Sequence, residues 1–219
     1  HIFITAKLPD YIRVGRNDCI QKYLFLTTSH DGFGSIMAAF TPVRIVCRNT
    51  LNAALNDCNN CIRIRYTASA HDKLNQAHKL LGITNQLADE LEGIFNHWAK
   101  VQITDRQVKR LVQMAMAPNK ETLQHLKTGK IDEFSSMYNN MVNNIMEYSL
   151  TNPTHQGVTT KGTLYGCYNA VSGCFQNVRN YKDEETKFKS IMSGHALTRT
   201  QATFELCNDF AKVGVNALN

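Results

Sequence analysis

Glutamate is missing from the first 80 residues. They carry ten Lys/Arg against five Asp, a local charge of +5, whereas residues 81–219 balance fourteen Lys/Arg against thirteen Asp/Glu. Almost the whole net charge of +6 therefore sits in the first third of the chain. Two-metal nuclease chemistry needs convergent carboxylates, and the predicted strands of this region hold acids only in their turns. A one-sided basic region is the footprint of a polyanionic partner. The competing reading, a solvated sheet face with ordinary lysines, stays open at this point. No apolar run approaches the roughly 18 residues that span a bilayer, so no membrane association is expected. The chain opens at His1 inside a predicted strand, with no initiator Met or signal peptide, and reads as an internal piece of a longer protein. H-E-x-x-H, G-x-S-x-G and G-x-x-x-x-G-K are all lacking, so neither an enzyme nor a cofactor is implied.

Cysteine is present in an odd number, seven, mostly inside apolar patterns where it acts as a small buried hydrophobe. That usage fits a reducing, cytoplasmic setting better than a disulfide scaffold. Cys58-Asn59-Asn60-Cys61 has C-x-x-C spacing but lacks a second pair or well-placed histidines to complete a zinc tetrahedron. His30-Asp31 precedes Gly32, and turn chemistry accounts for it without a catalytic role. Glu92 and His97, five apart, do not share a helix face.

What the chain does have is a change of period. Strands are predicted over Ile2–Leu8, ended by Pro9-Asp10, then Ile20–Thr28, Ser35–Thr41 and Val43–Arg48, with Pro42 marking an edge or bulge. Asn49 or Thr50 is placed to cap a short helix over Thr50–Asp57, and Ile62–Thr67 alternates as a further strand. From His71 the apolar spacing becomes helical as far as about Lys100, with Gly82 and Gly93 as weak points. Thr104-Asp105-Arg106-Gln107 has the capping-box pattern and opens a helix stopped by Pro118. Further helices are predicted over Ile131–Ile145, Leu164–Val178 and residues 197–213. Strands first and helices after argue for an α+β fold, with an antiparallel-rich sheet and a long packing helix followed by a helical part. The boundary is expected near residue 100, dividing 1–100 from 101–219, unless the two form one continuous domain.

The most informative constellation is basic. Arg44 and Arg48 on one predicted strand, with Arg63 and Arg65 on another, would form a guanidinium row if the strands share a sheet. Asn49 and Thr50 would add exposed amides at a helix N-terminus, which also attracts anions. Tyr23, Phe25, Phe33 and Tyr66 are nearby rings that could stack bases, although Tyr66 falls on the apolar face and reads as core. In the alternative, these arginines pair with acids of the helical part and the rings are core. Lys161, in the small-residue loop Gly157–Gly166, is a weaker candidate for holding a phosphate on backbone amides.

Three blocks carry a resemblance. They are the Ser29-His30-Asp31-Gly32 turn, Thr41-Pro42-Val43-Arg44-Ile45-Val46-Cys47-Arg48-Asn49-Thr50-Leu51, and Gly162-Thr163-Leu164-Tyr165-Gly166-Cys167-Tyr168-Asn169-Ala170-Val171. Together they resemble the phage/plasmid-like family of unknown function, with Tyr165 where Trp is usual and Ile45 for Val. The resemblance implies a mobile element and a bacterial host cytoplasm, but no established activity. The element order and basic sheet are also similar, at the level of fold, to Rad-type single-strand annealing proteins that form rings. The expectation that follows is a DNA-handling protein that binds single-stranded DNA in recombination, annealing or replication and self-associates as a homo-oligomer. The alternative is a non-enzymatic interaction or structural protein of a mobile element, such as a host-defence modulator or virion component.

Overall fold

The alternation of the first 44 residues produces a long antiparallel meander. The computed structural model describes residues 2–28, 36–44, 49–50, 61–64, 69–129 and 134–218. Strand β1 spans Ile2–Val14, β2 Asp18–Thr28 and β3 Ile36–Arg44. Two short strands, β4 at Asn49–Thr50 and β5 at Cys61–Ile64, both pair antiparallel with β3. The fold is α+β: after this sheet the chain is helical.

Three expectations about the strands change. Pro9-Asp10 does not end β1. The register shifts between Lys7 and Tyr11, Asp10 takes a positive φ of 63°, and pairing resumes through Val14. This is a β-bulge, and it lets the alternation Tyr11, Ile12, Arg13, Val14 continue on the far side. Pro42 does not break β3, which runs unbroken to Arg44 with Pro42 opposite Lys22. Along its other edge β3 pairs with β5 over Ile36–Ala39 and with β4 over Val43–Arg44, so Pro42 falls between the two ladders. Asn49 and Thr50 are strand residues, paired with Arg44 and Val43, rather than helix caps. The helix expected over Thr50–Asp57 otherwise lies outside the described residues, as does the His30-Asp31 turn.

Compact unit 1 comprises His1–Ile94. Its core lies on one sheet face, where Ile12, Val14, Ile20, Ala38 and Phe40 are almost fully buried at alternating positions. The long helix α1, Ala70–Trp98, carries a buried stripe of Leu80, Thr84, Ala88 and Leu91 at helical spacing. Near the end of β1 the Arg13 amide donates to the Glu92 carboxylate of α1 at 2.9 Å.

Compact unit 2 comprises Phe95–Asn219, so the division falls inside α1 rather than in the loop after it. The reason is aromatic packing. Phe95 and Trp98 in the last turn of α1 join Tyr165, Tyr168 and Phe204 in a cluster with ring centroids 5.0–5.8 Å apart. The capping box forms as expected: Gln107 N–H donates to Thr104 Oγ1, and the Thr104 amide donates to Gln107 Oε1 at 2.8 Å. It opens α2, Asp105–Met116, followed by α3, Lys120–Thr128. Helix α4 is Ser136–Thr151 and α5 is Leu164–Gly173, continued by a π-turn over Cys174–Val178. Helix α6, Glu184–Ser193, precedes α7, His195–Val213, and a final 3-10 turn covers Gly214–Leu218. The periodicity missed α3 and α6, which are short and carry one buried residue and none, respectively.

Candidate nucleic-acid interface

The guanidinium row expected from the sequence does not assemble around Arg44. Its side chain is 2% exposed, and Nε donates to Asp18 Oδ2 and Oδ1 at 2.8 and 3.0 Å while Nη2 donates to Oδ2. A buried arginine saturated by an internal carboxylate does not present its fork to a phosphate. Neither was this pairing foreseen, since Asp18 lies at the start of β2 and not among the acids of the helical part. Register separates Arg44 from Arg63 as well. Arg44 stands opposite Ile20 and Arg63 opposite Met37, positions of opposite parity along β3 and so on opposite faces of the sheet. Arg48 and Arg65 lie outside the described residues, and Asn49, Thr50 and Arg63 are described by their backbone pairing.

Lys161 is exposed, but its loop is not an anion nest. The amides of Thr160 and Lys161 donate to the Gly157 carbonyl, and the Thr163 amide to that of Thr160. The loop is also strapped to the segment after α1, with Ile103 N–H on Gly162 O at 2.9 Å and Leu164 N–H on Val101 O at 3.0 Å.

The Gly162–Val171 block is core. Gly162 has a φ of +65°, and Thr163 caps α5 by accepting the Gly166 amide at 3.0 Å. A Cβ on Gly166 would sit 1.8 Å from the Thr160 carbonyl oxygen, so no other residue fits there. Tyr165, Tyr168 and Asn169 are fully buried, and Asn169 Nδ2 donates to the Tyr165 carbonyl at 2.8 Å. From Thr163 on, the residues that carry the late part of the resemblance are buried and hold the second unit together.

What the sheet does offer is its other face. Opposite the core, Lys7 pairs with Tyr23, Tyr11 with Gln21 and Thr5 with Phe25, all on one side. Tyr11 is 40% exposed, Tyr23 and Phe25 are half-buried, and Lys7 is exposed with its Nζ 5.5 Å from the centre of the Tyr11 ring. The Tyr23 hydroxyl is fixed by donating to Gln21 Oε1 at 2.6 Å. Chemically, this is a row of rings with a cation beside it: flat faces for bases and an ammonium for the backbone phosphates. Tyr23 and Phe25 were legible as possible stacking residues. Tyr11 and Lys7 were not, because the bulge at Pro9-Asp10 read as a strand end. The resumed period of two from Tyr11 to Val14 is the signal that points to them.

Among the described residues no helix is long and apolar enough to cross a membrane, and no group of His, Cys, Asp and Glu is arranged to hold a metal ion. Comparison with curated proteins and with solved structures yields no match. A family model does match, over residues 1–194, and it takes in both the sheet with its open aromatic face and the buried Gly162–Val171 block; the chain belongs to the family described as domain of unknown function DUF932.

Proposed function

We propose that the protein is a DNA-handling factor of a mobile element that binds single-stranded DNA on the open face of the unit 1 sheet, in the cytoplasm of a bacterial host. The observation that carries this reading is the alignment of Tyr11, Tyr23 and Phe25 with Lys7 on one accessible face, within the region of the chain that concentrates the positive charge. Rings on a twisted sheet accept any base, because every base has a π-face, and the resulting binding is sequence-tolerant and salt-sensitive. The reading needs no cofactor and no bond-making step. Annealing would further require self-association of the chain, the ring-forming behaviour anticipated above.

The test is fluorescence anisotropy of the full chain with labelled oligo(dT) across a salt series. Tyr11→Ala should weaken binding roughly fivefold to a hundredfold, the loss of one stacking platform. Lys7→Ala should reduce the slope of log affinity against log salt by about 0.7, the value for one phosphate contact on a single strand. If wild-type protein fails to bind at low salt, or both variants bind as wild type, the proposal is overturned. In that event, recovery of a defined protein partner supports the alternative role as an interaction protein.

A further inference from the structure

Unit 2 holds a cleft that the DNA reading does not use. It has a volume of about 510 Å³ and lies between α4 and the π-turn that extends α5. That size is within the range of roughly 300–1,000 Å³ typical of small-molecule sites. Its floor is apolar and buried, formed by Ile145, Cys174 and Phe175. Met137 and Met141 of α4 line one wall, unbranched thioethers that can settle onto a flat ring. The rim is polar: Asn140 and Asn144, four residues apart on the same face of α4, and Arg179 and Asn180 from beyond the π-turn. Among the described residues no acidic side chain lines it.

The π-turn sets the position of Arg179. The Arg179 amide donates to the Cys174 carbonyl at 2.9 Å, the wider spacing that defines the turn, and such turns recur at functional sites. The guanidinium carbon then lies 5.5 Å from the Phe175 ring centre and 5.4 Å from that of Tyr181. Tyr181 is itself tied back, with its hydroxyl donating to the Phe175 carbonyl at 3.0 Å. A guanidinium held against two rings keeps its donor fork oriented before a ligand arrives.

We infer that this cleft binds a free nucleotide, with the base between the methionine wall and the Phe175 floor, its edge on the Asn140 and Asn144 amides, and the phosphate on Arg179. A side-chain amide presents a donor and an acceptor side by side, the pattern that matches an adenine edge. An arginine fork matches phosphate oxygens two at a time. The inference is independent of the sheet-face reading, since the residues belong to the other unit.

Isothermal titration of the full chain with AMP, adenosine and ribose 5-phosphate tests it. AMP should bind saturably, and the two fragments at least roughly tenfold more weakly. Arg179→Ala, at an exposed position, should lower AMP affinity roughly tenfold to a hundredfold and leave adenosine unchanged. Asn144→Asp, which places a carboxylate on the rim, should weaken AMP as well. Tyr11→Ala and Lys7→Ala should leave AMP binding intact, which separates this site from the sheet face. Absence of saturable AMP binding, or AMP binding untouched by both Arg179→Ala and Asn144→Asp, overturns the inference. So does a loss of oligo(dA) binding in Arg179→Ala without any AMP binding, since the occupant would then be a strand.

Discussion

Arg44 reaches back across the β2–β3 ladder to Asp18, and both side chains are at most 5% exposed. A buried ion pair contributes little net stability over an apolar pair of the same volume, but removing one partner strands the other charge. The pair therefore acts as a constraint on register. Slipping β3 by one residue would move Arg44 to the open face and leave Asp18 buried alone.

Arg44→Ala and Asp18→Ala should each destabilise the protein by about 3–5 kcal/mol, whereas Arg44→Leu combined with Asp18→Leu should recover most of that loss. Urea unfolding of the three variants gives the answer. A loss in the double variant equal to the sum of the two single losses would show that the two groups are not coupled. If oligonucleotide binding falls in Arg44→Ala, it should fall in proportion to the unfolded fraction.

Gly166→Ala should cost about 2–4 kcal/mol, because the added methyl meets backbone rather than a side chain that can turn away. Gly82→Ala makes the matching control. Gly82 sits inside α1 with nothing within 4 Å of a Cβ, so the same chemical change there should stabilise by about 0.5–1 kcal/mol. Thermal or urea unfolding of the two variants should give shifts of opposite sign.

Alkaline pH should weaken the second unit. Burial pushes the Tyr138 hydroxyl from 10.0 up to about 12, against an opposing pull from Arg110, and the Cys174 thiol from 9.0 up to about 11, opposed by Arg179. In both, the folded state holds its proton more tightly than the unfolded state. The stability they contribute is complete below the unfolded values and is lost as pH rises through 9 to 12. Tyr138 donates to the Gln113 carbonyl at 2.8 Å, so Tyr138→Phe should cost about 1 kcal/mol at neutral pH. The same variant should show a shallower decline above pH 10, measured as unfolding midpoint against pH. An unchanged decline would assign the alkaline loss to other groups.

Local rules carried the sequence reading a long way. A period of two in the first 44 residues, a period of 3.6 after His71, and one capping box located β2, β3, α1, α2 and α7 to within a few residues and the start of β1, because each is a pattern of neighbours along the chain. Helices α3 and α6 escaped because a short helix that buries little leaves little periodicity to read.

Which side of the sheet faces the core is a different kind of information. From the sequence alone, Arg44 and Arg63 looked equivalent, two basic residues alternating with apolar ones. Pairing register put them on opposite faces, and burial against Asp18 removed Arg44 from the surface. The bulge at Asp10 likewise returned Tyr11 to the same face as Lys7. The cleft of unit 2 joins Asn144 to Arg179 through the packing of α4 against the π-turn, a proximity that no local pattern encodes. The residues determined by themselves that the chain would fold as strands followed by helices, and that its first part would be basic. Tertiary structure decided which of those charges and rings meet solvent, because exposure depends on partners far away in sequence.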